Sequence, residues 1–123
     1  MIANNYQSEI PIELLIDLHE IGGIFHKSEE KVYKGLGKIQ IIEKLPNISI
    51  EQGHDLDDGW WKEDSLENEI KFFERIKRVI LKLKEIAIKN EENYTICLIT
   101  HSLFMNGFFS ILTNTEVLMN SKK

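Results

Sequence analysis

Apolar residues recur at helical spacing through Leu66, Ile70, Phe73, Ile76, Ile80, Leu83 and Ala87, a stripe that predicts one long amphipathic helix over residues 65–89. Asp64 stands where a cap is expected, with Glu67 three residues on, and Glu67/Lys71, Glu74/Arg78 and Glu85/Lys89 are spaced as i,i+4 pairs on its wet side. Two runs have a different rhythm. Residues 10–18 (IPIELLIDL) form a short apolar block that reads as a mostly buried strand, with Pro11 at its start. Residues 94–100 (YTICLIT) are uninterrupted and β-prone, the mark of an interior parallel strand covered on both faces.

Shorter elements fill the gaps. Leu36, Ile39, Ile42 and Leu45 are spaced for a short helix stopped by Pro46-Asn47, and residues 102–112 (SLFMNGFFSIL) return to helical spacing. Gly22-Gly23 breaks the chain after the first strand, and residues 48–61 read as an irregular connection anchored by Trp60-Trp61. Residues 1–9 and 113–123 are polar and expected to be flexible, which leaves a single domain over residues 1–123.

Composition narrows the function. With 42% hydrophobic and 28% charged residues the chain is of globular type, and no apolar run is long enough to cross a bilayer. A formal charge of −5 with mixed signs argues against a nucleic-acid or anionic-membrane surface. One cysteine, Cys97, sits in an apolar run, so it reads as a buried core thiol in a reducing compartment, the cytoplasm by default and a mitochondrial or other organelle address as the alternative. No secretory signal is seen.

Strand, long helix, strand is a crossover that sets the carboxyl ends of two parallel strands along one sheet edge, where ligands bind. The first of these strands ends at His19-Glu20 and the second at His101. The helix opening at Ser102 presents free N–H groups and its positive dipole end to the same edge, which suits a phosphate. Glu20, His101 and the helix start at Ser102 are therefore expected to converge on one anion-favouring edge. No cofactor and no metal are expected. His54, Asp55, Asp57 and Asp58 fit no calcium or zinc template and read as a solvated acidic loop. A serine-nucleophile elbow at Ser102 would need glycine where Thr100 and Phe104 stand.

Residues 99–106 (ITHSLFMN) resemble the second histidine motif of the histidine-phosphatase superfamily, the phosphoglycerate-mutase-like proteins. Residues 18–25 (LHEIGGIF) are similar to that family's segment carrying the acidic proton donor. Gly35-Leu36, Leu45-Pro46-Asn47, Gly59-Trp60-Trp61 and a helix with Phe73 and Arg75 follow in the order of one branch. The resemblance implies an α/β fold, a partial three-layer sandwich with a mostly parallel sheet and flanking helices. It implies that Glu20 protonates the leaving oxygen, that His101 binds the transferring phosphoryl group, and that the Ser102 N–H adds a hydrogen bond. The substrate would be a phosphorylated small molecule or phosphoprotein.

One expected part is missing. Such proteins open with an Arg-His-Gly strand that supplies the nucleophilic His and arginines for the phosphate, and nothing before Ile10 matches it. Arg75 and Arg78 are the only arginines, both on the long helix, and neither His26 nor His54 has a strand-end setting. Two strands also make an inadequate sheet. The domain is therefore expected to be incomplete and inactive alone, its sheet edge covered by a missing N-terminal segment or a protein partner. The alternative is a non-catalytic structural or interaction subunit.

Overall fold

A computed structural model describes residues 10–26, 28–90 and 95–113. Of the terminal stretches expected to be flexible, 1–9 and 113–123, residues 1–9 and 114–123 lie outside the described residues, as does Tyr94, while Thr113 is the last residue of a helix. Strand β1 (Ile12–Leu14) leads into a 3-10 turn (Ile16–Leu18), then a hairpin of β2 (Ile24–His26) and β3 (Lys31–Tyr33). Helix α1 (Lys38–Lys44), strand β4 (Ile48–Ile50), the long helix α2 (Glu69–Lys89) and helix α3 (Ser102–Thr113) follow. The architecture is mixed helix and strand, roughly α/β, with a small parallel sheet and three helices. Among the described residues no helix is long and apolar enough to cross a membrane.

The parallel ladder is not the expected one. β1 pairs with β4, Ile12 opposite Ile48 and Leu14 opposite Ile50, and the connection between them carries the hairpin and α1. Residues 95–100 form no strand; Cys97 is exposed and Ile99 is 88% exposed. The expected interior strand and buried thiol are thus both corrected. A parallel strand is stabilised by neighbours on each edge; this segment has none among the described residues, and contributes half-buried Leu98 to the core. It is tied to the β1 side by one side-chain bond, the Thr100 hydroxyl donating to the Leu18 carbonyl.

The core lies between α2 and α3. Phe72, Ile76, Val79 and Ile80 meet Phe104 and Phe108, with Leu18, Ile21 and Leu98 packed around them. Gly107 permits this approach, since a Cβ there would stand 2.6 Å from Ile76 Cδ1 and 3.1 Å from the Phe72 ring. Fully burying side chains of the size of Phe72 and Phe104 contributes about 1.5–3 kcal/mol each, and both are wholly inaccessible.

The α2 stripe is rotated from the expected one. Ile76 and Ile80 are inside as anticipated, but Leu66 and Ile70 are exposed, and Phe72, Arg75 and Val79 take the inward positions. The cap is Asn68, whose Oδ1 accepts from Lys71 N at 2.9 Å, so α2 begins four residues later than expected. Glu67 therefore lies outside the helix and is not the wet-side partner of Lys71, which pairs with Glu63. In α1 the spacing misleads again, for Ile41 is buried and Ile39 is exposed. Seven residues are too few to impose a face, and Gln40 Oε1, accepting from Gly37 N at 3.0 Å, fixes the first turn instead.

Candidate functional site

The segment from Asp17 to Glu20 is held by a single buried cation. Arg75, 2% exposed, donates from Nε and a terminal nitrogen to the two Glu67 oxygens at 2.8 and 2.6 Å. Its other terminal nitrogen donates to the Asp17 carbonyl at 2.7 Å and the His19 carbonyl at 2.9 Å. The guanidinium also lies 5.3 Å from the Phe72 ring centre and 5.4 Å from that of Phe104. One residue so joins α2, the 3-10 turn and α3. Beside it Arg78 grips the Asp17 carboxylate at 3.0 and 3.1 Å, and that hydrogen-bonded anion raises the Arg78 pKa.

The turn fixed in this way aims Glu20 at α3. Glu20 Oε1 accepts from Ile21 N at 3.0 Å, and Oε2 accepts at 3.4 Å from the N–H of Leu103, in the first turn of α3. His101 is the residue before that helix, its carbonyl accepting from Met105 N at 3.0 Å, and its side chain is exposed. Ser102 is exposed as well. The structure therefore brings together Glu20 and the helix start that carries His101 and Ser102. It does so although residues 95–100 are not a strand, because Thr100 is anchored to Leu18.

His19 is the neighbour whose setting the sequence did not reveal. Its ring lies 4.9 Å from Trp60 and 5.3 Å from Trp61, and Nδ1 is 2.7 Å from the Glu20 carbonyl. A carbonyl can only accept, so Nδ1 carries the proton in the neutral ring. Burial lowers the His19 pKa against the opposing pull of that hydrogen bond, and the Arg75 charge lowers it further. Trp61 is itself buried, and its indole N–H has no partner among the described residues. Gly23 makes room for it: at φ +75° it adopts a backbone conformation that side chains disfavour, and a Cβ there would lie 2.6 Å from the indole.

The chemistry of the arrangement follows from its charges. A helix N-terminus attracts anions, but here a carboxylate already answers the Leu103 N–H. Arg75 commits four of its five N–H donors to Glu67 and two carbonyls. In the acidic loop Asp55, Asp57 and Asp58 are exposed, and Asp55 accepts from Asp57 N.

The Glu67–Arg75 pair was not read from the sequence, where Glu67 was set on the wet side and Arg75 off the expected stripe. The signal that could have found it is Arg75 standing three residues after Phe72 and four before Val79, a charge among apolar residues at helical spacing that calls for a buried partner. His19 and its indole neighbours gave no such signal, because they are 41 residues apart and meet only in the fold. Comparison with known proteins yields no match: no family model, no curated protein and no solved structure is found similar to this chain.

Proposed function

We propose that this chain carries the proton-donor and phosphate-binding part of a phosphoglycerate-mutase-like histidine-phosphatase site and does not turn over phosphate esters by itself. In this reading Glu20 is the acid for the leaving oxygen, while His101 and the Ser102 N–H receive the phosphoryl group. The observation that carries it is the approach of Glu20 Oε2 to the Leu103 N–H at the start of α3. Two residues 81 positions apart in the sequence, Glu20 and His101, thereby flank one anion-favouring helix end. The motif resemblance suggests the reaction class, and the meeting of Glu20 with the start of α3 supports the roles.

The test has two arms. Titration with inorganic phosphate should shift the His101 ring and the Ser102 and Leu103 amide resonances saturably, an effect abolished in His101→Ala. No perturbation at α3 would refute phosphate binding. A generic aryl phosphate should release no phosphate, and robust turnover lost on His101→Ala would overturn the inactivity.

A second reading is a non-catalytic interaction subunit, favoured by the segment at 95–100, which joins no strand among the described residues and exposes Ile99. In that case a protein strand covers this segment, and a stable, well-folded monomer with no tendency to associate would refute it.

A further inference from the structure

β1 and β4 run in the same direction, so their carboxyl ends open onto one place, the edge at which parallel sheets receive ligands. A cavity of about 290 Å³ lies there. Leu15 follows β1 and Glu51 follows β4 directly, Asp17 comes from the 3-10 turn, and α2 contributes Arg78, Val79 and Lys82. His54, which the sequence gave no strand-end role, completes the wall in the loop leaving β4.

The wall is charged in both senses. Asp17 is held by Arg78, and Glu51 accepts from Lys82 Nζ. His54 Nε2 lies 3.5 Å from the other Glu51 oxygen, and the Glu13 carboxylate stands 3.9 Å from Lys82. Two carboxylates and two cations line the cavity, so its lining carries no formal net charge and presents both signs side by side. Both signs nevertheless retain bonding capacity. Arg78 spends Nε and one terminal nitrogen on Asp17, which leaves the donors of its second terminal nitrogen. Each Asp17 oxygen accepts one bond and has a second lone pair. Leu15 and Val79 supply an apolar wall between the charges.

We infer that this cavity binds a small zwitterion of amino-acid size, its carboxylate on Arg78 and its ammonium on the Asp17 and Glu51 carboxylates. Such a ligand satisfies donors and acceptors together and leaves the net charge of the cavity unchanged, where an anion or cation alone would face an unanswered like charge. The volume suits a short aliphatic side chain laid against Val79. The site is separate from Glu20 and His101 and does not depend on the phosphate reading.

The test is an amide-resonance titration of the full chain with L-valine, acetate and ethylammonium in parallel. L-valine is expected to shift Leu15, Glu51 and Val79 saturably in the millimolar range, and the two half-ligands to do so at least tenfold more weakly. Arg78→Gln and Glu51→Gln should each weaken L-valine binding at least tenfold, while His101→Ala leaves it unchanged. An absent or non-saturating response to L-valine overturns the proposal. So does an equal response to acetate, or an unaltered response in Arg78→Gln.

Discussion

Removing Glu67 should cost more than removing any surface partner, because it leaves the Arg75 cation buried with half of its bonds. In the native chain that guanidinium makes four hydrogen bonds, two to Glu67 and two to the carbonyls of Asp17 and His19. Both side chains of the pair are almost inaccessible, 3% for Arg75 and 6% for Glu67. Breaking a buried pair by deleting one member costs about 3–5 kcal/mol, a large share of the roughly 5–15 kcal/mol available to a domain. With a urea slope of about 2 kcal/mol per M, a loss of about 4 kcal/mol lowers the unfolding midpoint by roughly 2 M. The control is Lys71→Ala, which removes the half-exposed pair with Glu63 at 2.9 Å and should cost no more than about 1 kcal/mol. Replacing both members, Glu67→Leu with Arg75→Met, should recover only part of the loss, since the Asp17 and His19 carbonyls lose their donor. Urea unfolding followed by tryptophan fluorescence reads all of these, through Trp60 and Trp61. A Glu67→Ala midpoint indistinguishable from that of Lys71→Ala would refute the claim that this pair organises the site.

Three other outcomes follow from the packing and the titrating groups. Gly107→Ala should destabilise by about 1–2 kcal/mol in urea, because the collision with Ile76 and Phe72 exceeds the helix-propensity gain of about 1 kcal/mol; a stabilised variant would contradict the close approach of α2 and α3. His19 has a folded pKa below its ordinary 6.5, so the unfolded chain binds its proton first, and stability is lost as pH falls through 6.5 toward the folded value. The urea midpoint should accordingly drop between about pH 7 and pH 5 more steeply for the native chain than for His19→Gln, and parallel profiles would refute the neutral, buried state of this ring. Thr100→Val removes the hydroxyl bond to the Leu18 carbonyl, which should cost about 1 kcal/mol and speed hydrogen exchange at the Leu103 amide; unchanged exchange would show that this tether does not position α3.

Local patterning determined much of the outline. The long amphipathic stretch is a helix, the residues after His101 are a helix, and Trp60-Trp61 does anchor the connection, because periodicity and large aromatic area act over a few residues whatever the surroundings. Glu20 and the start of α3 do meet, but through the Thr100 tether to Leu18 and not through the parallel strands expected of the sequence. What the sequence could not determine is which strands pair. Residues 94–100 have the composition of an interior strand, yet pairing is a property of two chains at once, and β1 finds β4 instead. The same holds for the face of α2, where the rotation that buries Phe72, Arg75 and Val79 depends on Phe104 and Phe108 arriving from α3. The tertiary structure alone turned Arg75 from one charge among many into the joint of three elements, since its worth depends on carbonyls 56 and 58 residues away. It alone placed His54 and Glu51 in a cavity with Asp17 and Arg78. Electrostatic partners are chosen by proximity in space, and a linear pattern carries no record of that.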